Sequence, residues 1–364
     1  MPAPAPNGLT LRSVSLIGAL AAGMVAQTEA FAESRSENST VGLTAKPVKI
    51  EAKPEKPEVT AKSCKPSRSK LGVARTITLD AKGGPQFGFV NYPGKQLLRD
   101  KEVLLTFDDG PLPRYTHKIL EAMERECTRA TFFLVGRMAI AFPKSVRRIL
   151  REGHTVGTHT WSHGNLQRGG PARAVDQIER GIAAIEAAAE QKISPLFRFP
   201  YLGRTSVMET HLKSRDIAAF SIDVDSRDTR GYSPSRMISH TIARLKKRGK
   251  GIVLFHDIKR STAAAVPGFL RALRKNGFKI VHLETSSYSP PRKKLKKRYD
   301  DLLAARASGD KKRIKVARRA LRYLPERNQR IKRTRPKAKI KLNSSSLKPG
   351  QAIPNNANPF NRAN

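Results

Sequence analysis

Between residues 102 and 282, short apolar runs alternate with longer stretches in which apolar side chains recur every three or four positions. The runs fall at 102–107, 130–135, 155–159, 196–199, 218–222, 252–255 and 279–282. Each is short enough for a strand and is bounded by turn-forming or charged residues. The amphipathic stretches, at 119–123, 142–151, 172–190, 207–214, 235–247 and 262–276, predict helices. About seven strands alternating with helices predict a parallel α/β sheet, open or closed into a barrel. In either closure, chemistry collects beyond the carboxyl ends of the strands.

Composition confines that pattern to the middle of the chain. The 364 residues carry 70 Lys and Arg against 30 Asp and Glu, a net charge of +40. Residues 289–364 hold 24 Lys and Arg and only Asp300, Asp301, Asp310 and Glu326 as acids, so +20 lies in about a fifth of the length. Such a stretch builds no core of its own and is expected as a basic tail, either solvated or folded into one or two basic amphipathic helices. Residues 33–70 alternate Lys, Glu and Pro with few large apolar side chains, the mark of an extended, disordered linker. The expected organisation is a leader at 1–32, a linker at 33–70, one α/β domain at 71–288 and the tail at 289–364.

The leader follows from Arg12, an apolar run through Val25 that is short for a membrane span, and the small-x-small end Ala30-Phe31-Ala32. Cleavage there implies export to the periplasm or envelope of a bacterium, with no transmembrane helix left afterwards. In an oxidising compartment the two cysteines, Cys64 and Cys127, are either bridged or independent thiols. An exported chain seldom meets nucleic acid, and the tail lacks interleaved aromatics for stacking. Its partner is therefore expected to be an anionic envelope surface.

The strand ends concentrate unusual chemistry. Asp108 and Asp109 close the first strand, His159 and His163 follow the third, and Arg198 to Tyr201 follow the fourth. Asp223, Asp225 and Asp228 follow the fifth, and His256 with Asp257 the sixth. Two histidines four apart aim two imidazoles at a common point. With no Glu among Thr160, Trp161 and Ser162, the H-E-x-x-H zinc-protease pattern is excluded. A carboxylate from Asp108 or Asp109 would complete a two-histidine, one-carboxylate set, leaving the other aspartate free as a base. A metal also relieves the repulsion between adjacent carboxylates. Five further histidines (His117, His154, His211, His240, His282) lie off this rim and read as packing or surface residues.

Thr106-Phe107-Asp108-Asp109-Gly110, His159-Thr160-Trp161-Ser162-His163, Arg198-Phe199-Pro200-Tyr201 and Leu254-Phe255-His256-Asp257 together resemble the polysaccharide deacetylase family. This is the NodB homology domain, carbohydrate esterase family four, and the likeness covers roughly residues 71–285. The resemblance implies a distorted (β/α)7-8 barrel of parallel strands with a divalent metal, usually Zn2+ although Co2+ also suits the ligands. It makes Asp109, His159 and His163 the metal ligands, Asp108 the general base and His256 the general acid. It assigns the backbone N–H of Tyr201 to the oxyanion, beside Pro200. Arg198 would pair with Asp108 and keep its pKa low, and an acid of the fourth motif would raise that of His256. That acid is Asp228, with Asp225 second.

The sequence departs from the family where Thr229 follows Asp228, a place commonly taken by Trp. The apolar wall of an acetyl pocket would then fall to Leu254 or Trp161, although Trp161 also suits packing beside the metal. The implied reaction removes N-acetyl groups from GlcNAc-containing glycans, chitooligosaccharide or peptidoglycan. An O-acetyl polysaccharide esterase and a glycan-binding pseudoenzyme tethered by its tail are the competing readings.

Overall fold

A computed structural model describes residues 69–94 and 96–321. The expected leader, most of the linker including Cys64, and the tail beyond Leu321 lie outside the described residues. Cys127, just past the first helix, is buried.

Among the described residues ten strands form, all paired in parallel. They are β1 (Arg75–Leu79), β2 (Gln86–Phe87), β3 (Glu102–Asp108), β4 (Thr131–Leu134), β5 (Thr155–Thr158), β6 (Leu196–Phe197), β7 (Ala218–Phe220), β8 (Val224–Asp225), β9 (Gly251–His256) and β10 (Lys279–Thr285). The helices among them are α1 (Pro113–Arg125), α2 (Gly136–Ala141), α3 (Pro143–Arg151), α4 (Gly170–Ala189), α5 (Ser206–Ser214), α6 (Pro234–Arg248), α7 (Arg260–Lys275), α8 (Lys293–Ala307) and α9 (Lys311–Ala320).

All seven expected strands are present, and the pairing runs β8-β9-β3-β4-β5-β6-β7-β2. Among the described residues no ladder joins β7 to β8, so the parallel circuit is an incomplete barrel. At its base, β10 pairs with the first two residues of β3 and then runs beside β1. The three strands that the periodicity misses, β1, β2 and β8, are edge or two-residue elements without a continuous apolar run.

β3 is central because every one of its residues is buried, as a parallel strand covered on both faces requires. Phe107 stacks on Phe132 of β4 at 5.1 Å and on Phe255 of β9 at 5.8 Å, and Phe255 meets Phe269 of α7 edge-on at 5.1 Å. This aromatic stack locks the register in which Asp108 lies opposite His256 on one side and Phe133 on the other. Helix starts follow local chemistry. Pro113, Pro143 and Pro234 sit in the first turns of α1, α3 and α6, where a missing N–H costs nothing. Thr205 and Ser233 cap α5 and α6 through their side chains.

The C-terminal stretch is more than a solvated run. Along α4, apolar or small side chains are buried nearly all round from Ile178 to Ala189, a pattern expected of a helix covered on both faces. One cover is the sheet with α2 and α3. The other is α8, whose Tyr299 and Leu302 are buried with Ala317 and Leu321 against Ile140, Ala183, Ala184 and Ala187. The domain edge expected at residue 288 therefore falls inside a packed unit: α8 and α9 pack on the core, with most of their Lys and Arg side chains facing outward and Arg306 donating to the Ile140 carbonyl. Among the described residues no helix is long and apolar enough to cross a membrane.

Candidate active site

The parallel direction of the strands brings Asp108, His159, Arg198, Asp228 and His256 to one rim. Their environments differ sharply.

Arg198 is fully buried, and each nitrogen of its guanidinium has a partner. Its Nη1 donates to Asp108 Oδ1 and to Thr106 Oγ1, each at 2.7 Å. Nε and Nη2 donate to the carbonyls of Phe220 and Ser221 at 3.3 and 3.1 Å, and the guanidinium lies 4.3 Å over the Phe133 ring. The expectation that this pairing keeps the pKa of Asp108 low is corrected by its depth. Burial raises the Asp108 pKa above the ordinary carboxylate value, and the opposing charges of Arg198 and His256 offset this only in part.

Asp109 adopts φ +78°, a left-handed turn that brings its carboxylate to the histidines. Its Oδ1 lies 3.2 Å from His163 Nε2 and 3.7 Å from His159 Nε2. The turn closes over Gly110, where a Cβ would collide with the Asp257 carboxylate. Burial lowers the His159 pKa to about 3, despite the attraction of Asp109, so the imidazole is neutral. Its ring orientation is set by Nδ1–H donating to the Arg198 carbonyl at 2.7 Å, which leaves the Nε2 lone pair facing the carboxylates.

The arrangement fits a divalent cation. One ligand atom from each of Asp109, His159 and His163 lies within 4.8 Å of the others, and buried Oδ1 of Asp109 has no hydrogen-bond partner. Two imidazole nitrogens and one carboxylate oxygen are a donor set that suits zinc or cobalt and leaves positions open.

Opposite them stands His256. Its Nδ1 lies 2.8 Å from Asp228 Oδ1, while Asp228 Oδ2 accepts from the His256 backbone N–H at 2.7 Å and from Thr262 Oγ1 at 2.6 Å. Burial pulls the His256 pKa down, but the hydrogen bond and charge of Asp228, aided by Asp108 and Asp109, outweigh it and hold the imidazolium to about 9. Asp225 turns elsewhere and accepts the Arg227 N–H in a local turn at 2.7 Å.

Tyr201 is 69% exposed at φ +57°, its ring 4.7 Å from that of His163. Pro200 is buried at the turn, and Leu254 lies on β9 two residues before His256. Trp161 does not face the rim as an acetyl-pocket wall would. Its indole packs outward between Arg180 at 4.9 Å and Tyr299 at 5.2 Å.

Two residues beyond those expected also shape the site. Asp257 is fully buried, bonded to Thr116 Oγ1 at 2.6 Å, and its pKa is raised to about 7 by burial. Gln177 holds the loop between the two histidines, its Oε1 accepting from Ser162 N and Oγ at 3.1 and 2.9 Å. Asp257 was legible as the neighbour of His256; Gln177 lies on a helix face with no local signal.

Comparison with known proteins places this geometry among relatives. The polysaccharide deacetylase family profile matches residues 95–219. The chitooligosaccharide deacetylase of Bradyrhizobium sp. (strain ANU 289) is 32% identical over 195 residues, covering 50% of this chain and 88% of that protein. The peptidoglycan-N-acetylmuramic acid deacetylase of Bacillus subtilis is 30% identical over 200 residues, covering 54% of this chain but 41% of the relative. The solved peptidoglycan deacetylase of Bdellovibrio bacteriovorus superposes with a TM-score of 0.55 at 29% identity, covering 60% of each chain. The chain thus spans less than two thirds of the last two.

The Asp228–His256 pair has a pH signature. A folded-state pKa raised above the ordinary 6.5 contributes stability that is complete below about pH 6.5 and lost as pH rises through about 9. In urea unfolding of the metal-free protein, the stability gap between wild type and Asp228→Asn should shrink by about 3 kcal/mol from pH 6 to pH 10. A gap that does not change with pH would contradict this reading of the pair.

Proposed function

The chain belongs to the polysaccharide deacetylase family, and from that premise we propose that its rim site removes acetyl groups from GlcNAc-containing glycans. The observation that carries this is the buried Oδ1 of Asp109, without a hydrogen-bond partner and facing two imidazole Nε2 atoms, with a carboxylate and an imidazolium on either side.

Asp109, His159 and His163 would hold the divalent cation. When bound, a zinc or cobalt ion supplies Lewis acidity that makes water nucleophilic near neutral pH and polarises an acyl oxygen. The protein's own groups divide the remaining work. Asp108 Oδ1 is fixed by Arg198, so Oδ2 is the atom left to take the proton of the attacking water. Its raised pKa makes it a stronger base once ionised. His256 binds Asp228 through Nδ1, which leaves Nε2–H to donate to the departing nitrogen. Held to about 9 by its partner, it carries that proton at neutral pH. The acyl C–N bond breaks, the nitrogen leaves as an amine with the proton from His256, and the acyl group leaves as acetate. By analogy with the family, the Tyr201 N–H supports the developing oxyanion. The exposed Tyr201 ring beside His163 offers a flat surface to a sugar.

The substrate is proposed as either an N-acetylated chitooligosaccharide or peptidoglycan, the two classes in the relatives' names. The same proposal puts the enzyme outside the bacterial cytoplasm, its basic C-terminal helices and tail against an anionic envelope surface. Fractionation of cells making the full chain checks this: recovery in the cytoplasm alone would remove it.

Acetate release from N-acetylated chitooligosaccharides and from purified peptidoglycan tests the activity. Metal-loaded protein should release acetate from at least one of them, chelator should abolish the release, and Asp109→Asn or His256→Gln should lower it by roughly 10²-fold or more. Release from O-acetylated xylan alone would make the chain an esterase. No release from any of the three with metal bound would make it a glycan-binding pseudoenzyme.

A further inference from the structure

The loop that carries the two histidines is conformationally costly. Thr160 and His163 both sit at positive φ, +69° and +60°, a region that disfavours L-residues by about 1–2 kcal/mol each. Such a loop persists only where its surroundings hold it.

Most of the hold comes from α2 and α4. The N–H groups of Gly136 and Arg137 donate to the carbonyls of Thr160 and Trp161, both at 2.9 Å, and Trp161 N–H donates to the Gln177 carbonyl at 2.9 Å. A Cβ at Gly181 would lie 2.7 Å from the Thr160 carbonyl carbon, so α4 presses directly on the loop. These contacts secure the inner side of the loop and its backbone.

The outer side of Trp161 is closed by α8. The Tyr299 ring is fully buried, lies 5.2 Å from the indole, and accepts at its hydroxyl from Arg180 Nε at 3.3 Å; the Arg180 guanidinium covers the indole at 4.9 Å. The start of α8 is itself tied down. Tyr288 donates its hydroxyl to Glu186 at 2.8 Å, Arg215 donates to the Pro290 carbonyl at 2.5 Å, and Arg292 pairs with Glu179 at 3.4 Å.

We propose that α8 is a brace for the histidine loop, with Tyr299 a positioning residue that acts through Trp161 on His159 and His163. Without Tyr299, the indole can swing toward the vacated space and release the backbone on which both ligands depend. A segment that composition marks as a basic tail would then govern the geometry of the metal site. This rests on the assignment of the two histidines as ligands.

The test is Co2+ titration of the full chain, reading both affinity and the visible absorption of the bound ion. Tyr299→Phe, which keeps the ring, should stay within about twofold of wild type. Tyr299→Ala should weaken Co2+ at least tenfold and alter the band shape at saturation; if it does not fold, Tyr299→Leu, which keeps apolar volume without the ring, should show the same direction. Leu120→Ala, a buried cut in α1, provides a stability control: it should lower the urea midpoint but leave affinity and spectrum unchanged. Wild-type affinity and spectrum in Tyr299→Ala or Tyr299→Leu, or an equal change in Leu120→Ala, overturns the brace. No Co2+ binding by wild type overturns the ligand assignment, and the brace with it.

Discussion

The buried guanidinium of Arg198 is the interaction on which the site depends. A charge removed from water is tolerated only when paired and hydrogen-bonded. Arg198 meets that demand with partners from two strands: Asp108 and Thr106 of β3, and the carbonyls of Phe220 and Ser221 at the end of β7. Its own carbonyl takes the Nδ1–H of His159. One residue therefore fixes the Asp108 carboxylate, selects the His159 tautomer and ties the end of β7 across to β3. Removing it would leave a buried carboxylate uncompensated, a defect of about 3–5 kcal/mol.

Around that anchor, two oppositely tuned groups share a small volume. Burial makes His159 neutral, and it also acts on His256, where Asp228 reverses the outcome. Which imidazole has a carboxylate on its Nδ1 and which has a backbone carbonyl decides which offers a lone pair and which a proton. The backbone arranges both: the left-handed turn at Asp109 brings its carboxylate to His163 while each aspartate keeps one oxygen 3.7 Å from His159 Nε2, and the Phe107–Phe132–Phe255 stack sets Asp108 opposite His256.

Much of this was legible in the sequence because the main strands are continuous apolar runs that end in chemistry-bearing residues. Asp108, Asp109, His159, Arg198 and His256 stand at or just beyond strand ends, where periodicity stops and a parallel sheet gathers them. Less was legible where a signal has two physical causes. The Lys and Arg of residues 293–320 left open a solvated run or one or two basic amphipathic helices; the helices are the outcome, and in α8 Tyr299 and Leu302 pack inward. The complementary sign, the Ala, Gly and Ile that run nearly all round residues 178–189 of α4 with only Glu179, Arg180 and Glu186 between them, could have exposed the missing cover. Trp161 was ambiguous for the same reason: an indole beside two histidines suits a pocket wall or a packing core, and only the position of α8 decides. The Asp108 pKa went the other way from expectation because charge pairing is visible in a motif, whereas depth of burial is not.

The central claim is that Asp109, His159 and His163 converge on one cation between Asp108 and His256. X-ray absorption of the zinc-loaded full chain tests it most directly. The account predicts two imidazole nitrogens and oxygen ligands at about 2.0–2.2 Å, with one imidazole lost in His163→Ala. A sulfur ligand, or a first shell unchanged by His163→Ala, would contradict it.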